Sequence, residues 1–277
     1  MAGSKSKAKD SEGGSVGTRM SADEIYDNIS KAAEEELDRP ATALVWSALA
    51  AGMAIGFSFF AGAYLASLVP EPWSHAAASA AYPLGFIFVV LARNQLFTEN
   101  TLEPIIPLLR RPSLKVLGKV LGLWGAVLAG NLLGAVVTGF LAARTPMFRP
   151  EMSEPLLRLA RETTDGGFLT VAWKAVFAGW LVALMAWLVA STHSTFAQVA
   201  LIWLTTAPIA AFGFRHSIAG AVEAFYRAFA GEASWGTMLG EFLAPALIGN
   251  IVGGVTLVAL LNHGQVAVGR AEHEKPG

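Results

Sequence analysis

The chain has 277 residues, 54% of them hydrophobic and 15% charged, where an ordinary soluble domain is about a quarter charged, so a water-soluble globular class is excluded. A net charge of −1 speaks against nucleic acid or any strongly charged macromolecular partner. Zero cysteines exclude disulfides and thiolate-held metals or clusters, and no cofactor or metal is expected. The charges are unevenly placed. Glu71 is the only one between Ala41 and Ala92, Lys174 the only one between Gly167 and Phe214, and Glu241 the only one between Ala233 and Gly269. Those deserts match bilayer as solvent, and the class is an all-α polytopic membrane protein.

In chain order, residues 1–20 (MAGSKSKAKDSEGGSVGTRM) are rich in Gly, Ser and Lys without periodicity and are expected to be a disordered tail. In residues 21–40, Ser21 with Glu24 fits a capping box, Ile25, Ile29, Ala33 and Leu37 make a thin apolar stripe, and Pro40 closes the run. This predicts a short amphipathic helix. The first apolar stretch begins at Ala41 and lacks a small-residue cleavage pattern, so it reads as a spanning helix and not a signal peptide. A hydrocarbon core of about 30 Å needs roughly 20 apolar residues. That rule predicts six spans in a 41–261 transmembrane domain: 41–69, 74–92, 114–143, 168–190, 196–214 and 237–261, with a C-terminal tail over 262–277. The second and fifth are followed by stretches 93–109 and 215–230, too polar to span alone and too apolar for ordinary loops. They read as continuations of broken helices.

An internal repeat supports that reading. Gly130-Asn131-Leu132-Leu133-Gly134-Ala135 in the third span recurs as Gly249-Asn250-Ile251-Val252-Gly253-Gly254 in the sixth, and the breaks at Phe97-Thr98 and Arg215-His216 are separated by almost the same distance. With three spans per half, the second half is inverted relative to the first, the arrangement in which discontinuous helices meet near the midplane. The two breaks are predicted to face each other. The positive-inside rule places both termini in the cytoplasm, with Lys31, Arg39, Arg110, Arg111, Lys115, Arg270 and Lys275 inside and Arg144, Arg149, Arg158 and Arg161 in one outer loop.

Backbone freed by a broken helix cannot face lipid, so the breaks must line a cavity or be buried in protein. Of five histidines, His75 and His193 fall in predicted short loops and His263 and His273 near the C-terminus. His216 remains as the functional candidate, since ionisable groups at membrane depth mark pathways. Arg215 has two readings: a pore charge that attracts anions, or a side chain turned to the headgroups or paired with Glu223 or Glu241. Lys174, about 9 Å into its span, reads as snorkelling to the interface, with anion binding as the second reading. Glu241 reads as an interfacial or pairing residue, and the repeated Gly-Asn-x-x-Gly as helix packing.

These residues also carry a family resemblance. AFGFRHSIAG resembles the Gly-Phe-Glu-His-Ser-Ile-Ala-Asn motif of the formate/nitrite transporter family, Gln95-Leu96-Phe97-Thr98 its Glu-Leu-Phe-Thr break in the second helix, and Leu247 to Gly254 its last-helix signature. The resemblance covers roughly residues 46–261. It implies an aquaporin-like six-helix protomer of two inverted three-helix repeats with a pore in each protomer, assembled as a homopentamer in a bacterial-type inner membrane. Carried over by motif, the central histidine is His216 and the facing threonine Thr98. The constrictions fall on Leu96, Phe97 and Val182 on the cytoplasmic side and on Tyr82 and Ile209 on the periplasmic side, with Phe86 near Tyr82. The implied activity is channel-like passage of a small monovalent anion such as formate or nitrite. A lone anion in a dry constriction is costly, and a weak acid sheds the cost by taking a proton that a histidine of pKa about 6.5 can supply, polarise or relay.

Four positions depart from the family pattern. Arg215 and Gln95 stand where the resemblance calls for acids, Gly179 where it calls for an asparagine, and Lys174 where small residues are usual. These point to a divergent subgroup with altered anion preference or gating. Three other classes compete: an aquaporin-like channel for small neutral solutes, an intramembrane hydrolase built on His216 and Ser217, and a non-transporting structural pentamer. The hydrolase is disfavoured because neighbours on one chain rarely point at each other and no nucleophile elbow is present.

Overall fold

The computed structural model describes residues 20–273, and no strand occurs among them. The tail expected over 1–20 lies, apart from Met20, outside the described residues. Ten helices matter here: α1 (Ala22–Leu37), α2 (Ala41–Ser67), α3 (Glu71–Leu91), α4 (Ile105–Arg110), α5 (Leu114–Arg144), α6 (Ser153–Thr164), α7 (Phe168–Val189), α8 (Thr195–Ala211), α9 (Ser217–Ala230) and α10 (Trp235–Arg270). Five of them, α2, α3, α5, α7 and α10, are long and apolar enough to cross a membrane. The shorter α8 has 17 residues and is completed by α9 after a break, as α3 is by α4.

Two long helix pairs form the frame: α2 lies along α5, and α7 along α10. Lipid supplies no hydrophobic drive between helices, so close approach by small residues carries the packing. A Cβ on Gly52 would stand 2.2 Å from the Asn131 carbonyl oxygen, and one on Gly179 would stand 2.3 Å from that of Asn250. Both halves of the core therefore press backbone on backbone. Helix α9, buried along nearly its whole length, packs on α5 and under the amphipathic α6.

At one end of the bundle α1 docks as its pattern requires. The capping box forms, Glu24 N–H donating to Ser21 Oγ at 3.2 Å and Ser21 N–H to Glu24 Oε2 at 2.7 Å. Ile25, Tyr26, Ile29 and Ala33 are buried against α4 and the end of α10. Arg110 pairs with Asp27 at 3.3 Å, and Arg270 with Asp23 at 2.9 Å and Asp27 at 3.0 Å. Nearby, Lys119 donates to Asp38 at 2.5 Å, and this hydrogen bond holds the exposed Asp38 carboxyl below its ordinary value. The beginning of α1 and the end of α10 thus share one face. At the other end Glu71 pairs with Arg158, and Arg161 with Glu232 at 2.7 Å.

The last helix runs past the expected span edge at Leu261, staying helical to His273. Polar residues look like tail in sequence, but Val266 is buried against α1 and His263 Nδ1 lies 2.5 Å from the Tyr26 hydroxyl. Two wider π-helical stretches, Met238–Leu243 and Val255–Leu260, interrupt α10. His75 is not in a loop as expected. It sits in α3, its Nε2 3.1 Å from the Ala211 carbonyl oxygen.

The contact at Gly179 gives the first prediction. Substituting asparagine, the residue the family resemblance calls for there, is expected to separate α7 from α10. Overpacking of this kind costs about 1–3 kcal/mol or more, read as a lowered melting temperature in detergent. A Gly179→Asn protein as stable as wild type would show that the contact yields.

Candidate functional site

Both breaks begin with the same cap. Two residues past the end of α3, Arg93 lies in the left-handed region (φ 54), and two past the end of α8, Gly213 does (φ 64). In each, the N–H of that residue bonds three residues back, Arg93 to Val90 O and Gly213 to Ala210 O, both at 3.0 Å. The following N–H reaches five residues back, Asn94 to Val89 O at 3.0 Å and Phe214 to Ile209 O at 2.8 Å. This is the Schellman pattern, which needs a left-handed residue. It stops α8 at Ala211, short of the span edge read from hydropathy.

The backbone released by each break is then held by one asparagine. Asn131 accepts the Phe97 N–H through Oδ1 at 2.8 Å and donates through Nδ2 to the carbonyls of Gln95 and Ala48, both at 2.8 Å. Asn250 accepts the Ser217 N–H at 2.8 Å and donates to the carbonyls of Arg215 at 2.9 Å and Ala175 at 2.8 Å. Both side chains are fully buried. The structural register therefore matches Gln95-Leu96-Phe97 with Arg215-His216-Ser217, two positions away from the correspondence suggested by the sequence spacing.

That register explains an asymmetry between the halves. His216 caps α9, its Nδ1 accepting the Ala219 N–H at 3.0 Å. Leu96 in the matching place has no cap to offer, and Pro104 and Pro107 follow, so the first continuation is only a 3₁₀ turn (Glu99–Thr101) and the short α4.

The two breaks meet at membrane depth, where Thr98 Oγ1 lies 2.7 Å from His216 Nε2, both residues being 1% exposed or less. The cap fixes the tautomer: Nδ1 is an acceptor, so neutral His216 carries its hydrogen on Nε2 and donates to Thr98. The Thr98 hydroxyl hydrogen is then free to donate elsewhere. Phe86 stands edge-on to the imidazole, with centroids 5.0 Å apart, and Tyr82 lies 5.4 Å beyond it. Leu96, Phe97, Val182 and Ile209 are all buried, whereas Tyr82 is half-buried and lines a cavity.

That cavity, of about 70 Å³, opens between α2, α3, α6 and the second break, towards the end opposite α1. Arg215 lines it without pairing to Glu241, which is exposed on α10. Its guanidinium donates to backbone carbonyls instead: Gly213 at 3.0 Å, Glu162 at 2.8 Å and Asp165 at 3.4 Å. Lys174 turns to the same break. Its Nζ and Arg215 Nη1 lie 3.8 and 3.9 Å from the point where a Cβ on Gly213 would stand. Glu223 also lines the cavity. Two roles escaped sequence reasoning. The asparagines read as packing, although their position one span after each break was a visible signal. Glu223 entered only as a partner for Arg215, although it lies seven residues past His216, on the same helical face.

Comparison with known proteins matches this architecture. The Formate/nitrite transporter family model matches residues 23–264. The chain is 35% identical over 243 residues to the inner membrane protein YfdC of Escherichia coli, covering 87% of this chain and 78% of that protein. It is 30% identical over 241 residues to a probable formate transporter of Methanothermobacter thermautotrophicus, covering 76% of this chain and 87% of that protein. Among solved structures, a pentameric formate channel with formate bound superposes with TM-score 0.68 at 21% identity, covering 86% of this chain and 99% of that one. An FNT family ion channel superposes with TM-score 0.73 at 20% identity, covering 92% and 98%. The aquaporin-like fold is the one these structures share.

Removing a clamp tests the site. Asn250→Ala strands the Ser217 N–H and two carbonyls, and each buried unsatisfied group costs about 1–3 kcal/mol. The expected result is a melting temperature well below that of wild type, with faster amide exchange across 213–219. An Asn250→Ala protein with unchanged exchange there would show that the break holds itself.

Proposed function

Because the chain belongs to the formate/nitrite transporter family, a family of membrane transporters and not of enzymes, we propose that it passes small monovalent weak-acid anions of the formate or nitrite type. Each protomer carries its own pore in a homopentamer of the bacterial inner membrane, with both termini cytoplasmic. The observation that carries this reading is the Thr98–His216 pair, hydrogen-bonded where the breaks meet and beside the buried apolar side chains of Phe86, Leu96 and Phe97. The orientation rests on Arg39, Arg110, Lys119 and Arg270 lying at the α1 end. The pentamer rests on the assembly named for the structural relative.

The parts act in sequence. Lys174 and Arg215 at the outer break raise the local concentration of anions. Tyr82, Phe86 and Ile209 form the outer constriction and Leu96, Phe97 and Val182 the inner one, dry enough that a bare anion crosses only at high cost and the neutral acid crosses easily. Between them Thr98 offers its hydroxyl hydrogen, and His216 assists by polarising that hydroxyl through Nε2–H. Thr98 donates to anion or acid alike, so it does not hold one form against the other. Ordinary formate or nitrite preference is shifted by the charges at 215 and 174, which places the chain in a divergent subgroup.

Proteoliposome flux of formate, nitrite and glycerol tests the reading. Wild type is expected to pass formate or nitrite. His216→Ala is expected to lose about tenfold or more, the worth of one buried hydrogen bond at its upper range. His216→Asn, which keeps both a cap and a donor, is expected to retain more. Unchanged anion flux in His216→Ala overturns the role of the histidine, and glycerol swelling without anion flux selects a neutral-solute channel.

A further inference from the structure

Transport of a weak acid in its neutral form needs a proton, and the central pair holds none to spare. With Nδ1 committed to the Ala219 N–H, His216 carries a single hydrogen on Nε2, and giving it away would leave an imidazolate. The donor must be another group on the path. Glu223 lies two turns along the same face of α9 and is 2% exposed. Among the described residues its Oε2 has no hydrogen-bond partner, and neither does Nε of Arg215. Both residues line the outer cavity with Tyr82.

Among the described residues this carboxyl has no direct ion pair. Tyr82 and His75 of α3 and Glu162 of α6 face the cavity, and Arg215 and Lys174 attend the break. Arg227, on α9 itself, is engaged by Asp165 and Thr164. Helix α2 contributes only Ser58 and Gly62 to the cavity, and α5 packs on α9 through Gly139, none of them titratable. An unpaired buried carboxylate is costly. A proton on Oε2 removes that cost and turns a donor towards the cavity.

We propose that the outer cavity is a proton-loading site, in which Arg215 holds the incoming anion and Glu223 protonates it. This rests on the weak-acid reading above. The O–H bond of the Glu223 carboxyl breaks as an O–H bond forms on an oxygen of the anion. The neutral acid passes Tyr82 to reach Thr98 and His216, and the Glu223 carboxylate recovers a proton from water at the outer mouth. One proton and one anion leave the outside together, so uptake rises as the outer pH falls.

Formate uptake and lumenal acidification, measured together in proteoliposomes against protein-free vesicles, test the proposal on wild type, E223Q and E223D. In wild type the two signals are expected to move together and to rise at acidic outer pH. E223Q keeps the side-chain volume but has no proton to give. It is expected to fall by about a hundredfold, the low end of what a positioned proton donor contributes, and to lose its pH dependence, while E223D recovers part of the rate with the same pH sign. E223Q transporting at the wild-type rate with the wild-type pH profile overturns the proposal and leaves the weak-acid reading intact. Wild type carrying neither formate nor nitrite overturns that reading itself. If E223Q fails to assemble, E223D decides alone: a flat pH profile in a folded E223D protein overturns the proposal.

Discussion

A broken backbone inside a hydrocarbon layer survives only where every amide the break frees finds a partner, and in each half of this protein that partner is one asparagine. Asn131 and Asn250 each spend three hydrogen bonds on backbone, joining a span to the break and to a third helix. Alanine or leucine at these positions would serve the packing and leave the breaks untenable. The site depends on this: the course of the chain from Gln95 to Phe97, the start of α9 at Ser217, and the distance between Thr98 and His216.

The inverted repeat makes the site polar on one side only. The matching breaks share cap, clamp and backbone, yet one carries Leu96 where the other carries His216. A histidine at that place serves twice, capping a helix with one nitrogen and reaching the opposite break with the other. A leucine caps nothing, so its helix stays short and the neighbouring Thr98 becomes the group that reaches across. A symmetric frame thus yields a directional pore, in which the two halves supply a donor and an acceptor to one hydrogen bond.

Much of this was legible in the amino-acid order, for reasons that differ by residue. The charge deserts marked the spans because a bilayer tolerates few charges, and the pair Arg215-His216 marked a break because nothing else would place it there. The Gly-Asn repeats marked the two halves, but a buried amide reads the same whether it bonds a helix side or a freed backbone, so their clamping role emerged only with the fold. The apolar side chains proposed for the constrictions carry no chemical mark, and Leu96, Val182 and Ile209 came from resemblance alone. The absence of an asparagine at position 179 had no sequence-level reason. In the structure, a side chain there meets the backbone of Asn250 itself.

The charge at position 215 has a similar physical reason. The segment around α6 is fastened to the second half by arginines. Arg227 reaches Thr164 and Asp165, Arg161 reaches Glu232, and Arg215 reaches the carbonyls of Glu162 and Asp165. An acid at 215 has no hydrogen to give a carbonyl, so it would release the loop from the break and set a negative charge beside those oxygens. Arginine there ties the cover of the vestibule to the backbone that Asn250 holds, through the Arg215 carbonyl. The residue at position 215 therefore joins the loop to the break and sets the charge of the cavity together.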